Sequence, residues 1–356
     1  MKTMFPSKKV QKVGFLLALC CLPLYLLSKI HQARHVSGVA GVKVLLMTKG
    51  RSGSSLTSDI IHAHGGVFYT FEPLPPLMLR RHVEDRQMDV QTKAYHLARY
   101  NQEAPEMIDY YLHCRFDSLD KRDLHNFQLF NSPDSRLLWY CNWNRSCVEN
   151  AKQLCLSRPH NLVKTIRLKV PPAVELLLQH DDLKLVYLVR DPRGTLFSQK
   201  ATWHSFEWEG LRNFSIEHCQ AVFEDLTEVV KLMKLHPEKA KILRYESLAE
   251  RPLEVSEDLY RFLGLEYTPA VRKFVFNRTM SGAGKGVDSY GTWRGNSSQA
   301  AYSWRKKLDF SAAKTIDECC RAVYELMGYL PVRTEEELRD SSQNLREEKA
   351  IDKLMI

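Results

Sequence analysis

Two stretches of this chain share one pattern: a short, nearly unbroken apolar run, a tight polar turn, then the first residues of a helical face. The first is Val42 to Met47, interrupted only by Lys43, followed by Thr48-Lys-Gly-Arg51-Ser-Gly-Ser-Ser-Leu56. The second is Leu183 to Val189, followed by Arg190-Asp-Pro-Arg-Gly-Thr-Leu-Phe-Ser198. Apolar runs of this length before a turn predict strands buried on both faces, as in a parallel sheet. Lys241 to Tyr245 adds a later strand, and Glu246 to Pro252 leads into a helix through Phe262. Residues 80–160 are polar, helical in pattern and cysteine-bearing, which predicts an insertion covering the sheet. From 333 to 356 the chain is charged and reads as a frayed tail. The fold class is therefore α/β with a central parallel sheet, without internal repeats.

The first turn has the chemistry of an anion site. Gly50 and Gly53 bracket Arg51-Ser52, and glycine lets backbone N–H groups approach an anion closely. Ser54, Ser55 and Thr57 add hydroxyls, while Leu56, Ile60 and Ile61 begin an apolar helix face. Backbone N–H groups at a helix N-terminus favour phosphate. The Gly-Lys-Ser/Thr ending of a Walker A loop is missing, so magnesium–ATP chemistry is not implied. Arg51 instead offers a permanent planar charge matched to phosphate oxygens. The plainer alternative is a polar strand-to-helix turn without a ligand.

In the second turn, Pro192 suits the first turn of a helix and Ser198 lies about two turns in. Ligands of open α/β sheets bind beyond the carboxyl ends of strands, where Arg190 stands. Arg190 and Ser198 are thus candidate contacts to a second phosphate. Asp191 and Arg193 are equally able to cap and pair locally.

The two segments, in this order, resemble the 5′-phosphosulfate and 3′-phosphate motifs of sulfotransferases that use 3′-phosphoadenosine 5′-phosphosulfate (PAPS). Arg51-Ser-Gly-Ser-Ser and Arg190-Asp-Pro-Arg-Gly are more similar to the Golgi carbohydrate 6-O-sulfotransferases than to the cytosolic enzymes. Further matches are Phe71-Glu72-Pro73-Leu74, the basic strand Lys164-Thr-Ile-Arg167-Leu, Arg244-Tyr-Glu-Ser-Leu-Ala249, Phe262-Leu-Gly-Leu265, and Cys320 before Gly328-Tyr329. Within the family, Tyr290-Gly-Thr, Asn296-Ser, Trp304-Arg305 and the acidic Glu335-Glu-Glu-Leu look closest to the keratan sulfate galactose 6-sulfotransferases. Two departures stand out: Leu56 occupies a usual Phe position, and Pro75-Pro76-Leu77 replaces a usual His or Trp-His. The resemblance spans roughly residues 42–332 and implies a three-layer, P-loop-like sulfotransferase fold. It further implies PAPS as co-substrate, a glycan or glycosaminoglycan acceptor, a type II membrane anchor and Golgi residence, with a homodimer as one option. Gly50, Arg51, Ser52, Gly53, Ser54, Ser55, Leu56, Arg190 and Ser198 are its donor-binding positions here.

The N-terminus agrees with that expectation. Val13 to Leu27 is apolar, continues to Ile30, and follows Lys2, Lys8, Lys9 and Lys12. A basic flank before such a run places the N-terminal end in the cytoplasm. The run is shorter than an average span, though thin early-secretory membranes accept it. A cleaved signal peptide ending near Val39-Ala40-Gly41 is the alternative. The expected order is a cytoplasmic tail (1–12), a signal-anchor helix (13–30), a short stem (31–41) and a lumenal domain (42–332) ahead of the charged tail. Sequons at Asn144, Asn213, Asn277 and Asn296 fit lumenal exposure.

Of nine cysteines, Cys20 and Cys21 fall in the apolar run, leaving an odd number beyond it. In an oxidising lumen, Cys141 with Cys147, Cys114 with Cys155, and Cys219 with Cys320 are the expected pairs, with one cysteine unpaired or bridging chains. Without a Cys-x-x-Cys pair a zinc reading is weak, and no metal is expected. The net charge of +9 suits an anionic donor and a polyanionic acceptor. No basic stripe with interleaved aromatics supports nucleic-acid binding.

Transfer of a planar, electron-poor sulfuryl group between oxygens demands positioning and charge stabilisation. A primary sugar hydroxyl also needs a base, and Glu72 is the candidate, returned to the site by a strand after the first helix. Arg51 would stabilise charge on the bridging oxygen. His62, His64 and His204 are weaker candidates, read as ordinary surface or packing residues. Lys164 and Arg167 would line the channel or pair with acids; Trp293, Arg294, Trp304 and Arg305 would border the 3′-phosphate. Two other functions remain open on sequence alone. One is a lumenal kinase or nucleotidase; the other is a non-catalytic glycan-binding protein of the same fold.

Overall fold

The computed structural model describes residues 41–83, 88–141, 144–202, 210–282, 292–293 and 295–347. The expected anchor at 13–30, the expected tail before it, residues 31–40, His204, Tyr290 and Arg294 lie outside the described residues. Among the described residues, no helix is long and apolar enough to cross a membrane. The described residues from Val42 onward form one compact unit.

A five-stranded parallel sheet organises the domain, in the order β2-β3-β1-β4-β5. Its strands are β1 (Lys43–Thr48), β2 (Val67–Phe71), β3 (His160–Thr165), β4 (Leu183–Val189) and β5 (Ala240–Arg244). Register is tight: Leu45 pairs with Val163 on one side and Leu185 on the other. Alternate β1 residues serve opposite faces. Leu45 and Met47 join one apolar cluster, and Val44 and Leu46 join the other. Burial on both faces explains why the run is continuous rather than alternating. The basic strand expected at Lys164 is β3, but it ends at Thr165 and leaves Arg167 in the following turn.

Helices cover both faces. Among them are α1 (Ser54–His62), α2 (Val90–Leu112), α3 (Val170–Gln179), α4 (Pro192–Thr202), α5 (Leu211–Leu235), α6 (Pro252–Leu263), α7 (Phe310–Cys319) and α8 (Glu335–Arg339). Tyr245, expected in the β5 strand, instead opens a short helix through Glu250. The insertion between β2 and β3 is helical, as its pattern predicts. Its α2 starts at Asp89, whose carboxylate accepts from the Gln91 and Thr92 amides. It buries Tyr100, Ala104, Met107, Ile108 and Tyr111 in the core.

Disulfides join Cys114 to Cys155, Cys141 to Cys147, and Cys219 to Cys320, as expected; among the described residues Cys319 is the free thiol. The first closes the insertion, and the third ties α5 to the residue after α7. Cross-links of this kind act chiefly by restricting the unfolded chain.

The frayed tail expected from 333 is not what residues 334–347 form. Thr334 caps α8 by accepting from the Glu337 amide, and Leu338 and Leu345 are buried. Arg305 anchors this strap: Nε and Nη1 donate to the Leu338 and Gln343 carbonyls at 2.9 Å, and Nη2 to Glu337 and Asp340. Arg346 reaches Glu250, and its backbone bridges Tyr329. A charged sequence thus docks through guanidinium–carbonyl bonds and two leucines.

Candidate active site

From the centre of the sheet the chain leaves in opposite directions, β1 towards β3 and β2, β4 towards β5. Such a divergence opens a crevice at the carboxyl ends of the two strands. A cleft of about 1970 Å³ lies there. Arg51, Gly53, Ser54, Ser55, Leu56, Glu72, Arg190 and Ser198 all line it. Gly50 and Ser52 are buried in the turn and are not among the lining residues.

The β1–α1 turn is shaped for close approach. Arg51 has φ 69° and Gly53 φ 99°. A Cβ at Gly53 would lie 2.3 Å from the Tyr245 ring, so only glycine fits under that ring. Gly53 caps α1 without any side-chain acceptor, which leaves the helix's first amides facing the cleft end.

Long-range hydrogen bonds join the two turns. Arg51 Nε donates to Ser198 Oγ at 3.1 Å. Arg190 Nη1 donates to the Arg51 carbonyl at 3.0 Å, and Gln199 Nε2 to the Gly50 carbonyl at 2.8 Å. Arg190 also lies over the Tyr245 ring and donates to Ala301 O. Its Nε is buried without a hydrogen-bond partner, as is Nε1 of the neighbouring Trp304. Arginine has five N–H donors, so two carbonyl bonds leave Arg190 able to hold an anion. Gly194 permits this packing: a Cβ there would sit 2.8 Å from Trp304 and 3.2 Å from Arg190 Nε.

Other expected contacts are structural. Arg193 is fully buried, bidentate to Asp191 and bonded to Leu330 O, with Asp317 at 3.3 Å. Local pairing of Asp191 with Arg193 is thus what the fold uses. Trp304 is 1% exposed and belongs to the core, although one edge reaches the cleft. Arg305 is committed to the strap. Glu246, wholly buried, accepts from the Asp191 amide and Tyr329 hydroxyl, and burial raises its carboxyl above the usual range.

Glu72 closes β2 with φ 47°. Its Oε1 lies 2.7 Å from Lys164 Nζ, and its Oε2 2.7 Å from Arg167 Nη1 and 3.3 Å from the Ile166 amide. Asn126 donates to its carbonyl at 2.8 Å. Burial lowers the Lys164 ammonium below the usual lysine range, against the opposing pull of Glu72. Positive φ at a residue with a Cβ is a strain that persists only where surroundings enforce it, as at functional sites.

One carboxylate escaped the sequence reading. Asp59 stands one turn after Ser55 on α1, lines the cleft and accepts from Thr292 Oγ1 at 2.8 Å. Arg278 donates to that same hydroxyl at 3.1 Å and lies 4.8 Å from the Trp293 ring centre. Burial raises Asp59, partly offset by Thr292 and Arg278. The spacing Ser55–Asp59 was the available signal. Of the histidines, His62 instead pairs with Asp134 at 2.9 Å, and neither it nor His64 lines the cleft.

The sulfotransferase domain family matches residues 42–331. The chain belongs to this family. Carbohydrate sulfotransferase 1 of Rattus norvegicus is 28% identical, covering 86% of this chain and 84% of that protein. Carbohydrate sulfotransferase 6 of Homo sapiens is 26% identical, covering 93% and 92%. Among solved structures, the sulfotransferase domain from the curacin biosynthetic pathway aligns over 81% of this chain and 98% of its own, with TM-score 0.43 and 15% identity. The family match bears out the family expected from the sequence, the five-stranded sheet bears out the parallel fold, and PAPS is the co-substrate that goes with the family.

Proposed function

We propose that this sulfotransferase moves the sulfuryl group of PAPS to the 6-hydroxyl of a galactose or N-acetylhexosamine in a glycan such as keratan or chondroitin sulfate. The supporting observation is convergence. The Arg51 and Arg190 turns, far apart in sequence, meet through the Arg51–Ser198 hydrogen bond on a cleft that Glu72 also lines. The curated relatives, carbohydrate sulfotransferases by name, support a sugar acceptor.

In this reading the α1 amides, Arg51, Ser54 and Ser55 hold the phosphosulfate end, and Arg190 with Ser198 holds the 3′-phosphate. The acceptor O6 forms a bond to sulfur while the bond from sulfur to the donor's bridging oxygen breaks. The O6 proton passes to the Glu72 carboxylate, and Arg51 stabilises the charge left on the departing phosphate. Lys164 and Arg167 lock the Glu72 rotamer. A carboxylate offers about four lone-pair positions, so two cations leave room for an incoming proton.

The protein works, in this proposal, as a single-pass type II enzyme with its domain in the Golgi lumen. The disulfides and the apolar 13–30 stretch support that placement. The test is transfer of labelled sulfate from PAPS to keratan-type, chondroitin and N-acetylglucosamine-terminated glycans, with Arg51→Ala alongside. Label on one glycan, absent with the variant, supports both the activity and the acceptor. A folded protein that fails to bind the donor overturns the reading.

A further inference from the structure

We propose that Asp109, His113 and His180 form a structural zinc site, remote from the cleft. Asp109 lies in the last turn of α2, His113 is the residue that ends that helix, and His180 ends α3. The two helices pack together and bring three donor groups from distant sequence positions within 4.8 Å of one another. His113 Nδ1 lies 2.6 Å and His180 Nε2 3.2 Å from the same oxygen, Asp109 Oδ1. The two rings are 4.5 Å apart.

The decisive detail is at that oxygen. Asp109 Oδ1 is buried and accepts no aligned hydrogen bond, despite two nitrogens this close. A buried acceptor left in that state calls for a partner such as an ion. His113 Nδ1 also lies 3.1 Å from the Asp109 carbonyl, to which it donates, so binding a cation displaces that proton and turns the ring towards the carboxylate. Zinc takes nitrogen and carboxylate ligands at about 2.0–2.2 Å, so tetrahedral neighbours lie roughly 3.4 Å apart. The His180–Asp109 separation already matches, and the His113 pair has to open by less than about 1 Å. Arg115 binds the other carboxylate oxygen and fixes its orientation, the role usual for groups behind a metal ligand. The sequence reading expected no metal because a Cys-x-x-Cys pair is missing; these donors are instead two imidazoles and a carboxylate, brought together only by the fold.

Topology assigns the ion a structural role. His180 precedes β4 by three residues, and the Lys43 amide opening β1 donates to Asp182 O at 2.8 Å. The cluster therefore sits at the amino ends of the strands, roughly 20 Å from the cleft at their carboxyl ends. There the ion would clamp α2 to α3, beside the Cys114–Cys155 bridge.

The full chain, stripped with chelator and dialysed against micromolar Zn²⁺ at neutral pH, is expected to retain one equivalent. Its melting temperature should rise by a few degrees, and Co²⁺ should give a visible tetrahedral spectrum. His180→Ala and Asp109→Asn, checked for folding by circular dichroism, should each lose the metal and the shift. Cys319→Ser should keep both, and chelation should leave the sulfate-transfer rate within about twofold. Failure of the wild-type chain to retain zinc, or equal retention by folded His180→Ala, overturns the proposal.

Discussion

Lys164 reaches Glu72 from inside the sheet: Nζ lies 2.7 Å from Oε1, with the two side chains 4% and 2% exposed. Arg167 holds the other oxygen at 2.7 Å. Glu72 is therefore fixed at a strand end, on the cleft wall, by a lysine from the neighbouring strand and an arginine from the turn after it.

Glu72→Gln keeps the shape and removes the base. Transfer is expected to fall at least about 100-fold while donor binding persists. The same change leaves Lys164 and Arg167 without their counter-charge, which costs on the order of 3 kcal/mol of stability where a buried pair is broken. Rates must therefore be compared on protein confirmed folded by thermal melt. Full transfer by folded Glu72→Gln would remove the base assignment.

Arg190 and Ser198 carry a separate expectation. Arg190→Ala removes a charged donor and the bond to the Arg51 carbonyl, and Ser198→Ala removes the partner of Arg51 Nε. Charge-assisted hydrogen bonds contribute about 1.5–3 kcal/mol, so the dissociation constant for 3′-phosphoadenosine 5′-phosphate should rise about 10- to 100-fold in Arg190→Ala. Ser198→Ala should have a smaller effect of the same sign. Calorimetric titration decides it; unchanged affinity in both variants would withdraw the 3′-phosphate contact.

β1, β4 and both turns were legible because burial on both faces leaves a nearly unbroken apolar run, and a Gly-bracketed turn needs specific residues. The sequence around Val42 and Leu183 carries that signature almost without interruption. Glu72's place on the cleft wall followed from the resemblance and from a strand returning after the first helix; nothing in its local pattern announces the positive φ or the Lys164 contact. Asp59 and Arg278 were missed because their meeting point, Thr292, is more than two hundred residues from α1. The Arg305 strap was illegible for a physical reason. Its charged segment buries two leucines, and apart from the Arg346–Glu250 pair Arg305 holds it through backbone carbonyls, which every residue carries.

That strap yields its own prediction. Arg305→Ala leaves the Glu337, Leu338, Asp340 and Gln343 carbonyls without their donor. A loss on the order of 2–4 kcal/mol is expected, with limited proteolysis cutting first between 334 and 347. Because Ser342, Gln343 and Asn344 line the cleft, donor affinity should weaken in step. Arg305→Lys should not restore either, since one ammonium cannot reproduce the fork. An uncut strap in Arg305→Ala would show that Leu338 and Leu345 suffice.

His160 makes stability depend on pH. Its Nδ1 accepts from the Val42 amide at 3.0 Å, joining the first residue of β3 to the entry of β1. Burial first, then the charges of His64 and Lys43, lowers its pKa from 6.5 to about 4. Between these values the unfolded chain binds a proton that the folded chain refuses. The contribution is complete above about pH 6.5 and is lost as pH falls towards about 4. With allowance for partial solvent access, the loss is on the order of 1–2 kcal/mol. His64, also lowered by burial, acts in the same direction. Urea melts across that window should show His160→Gln flatter than wild type, the difference cancelling the carboxylates common to both. Parallel curves would mean that His160 takes up its proton without unfolding cost.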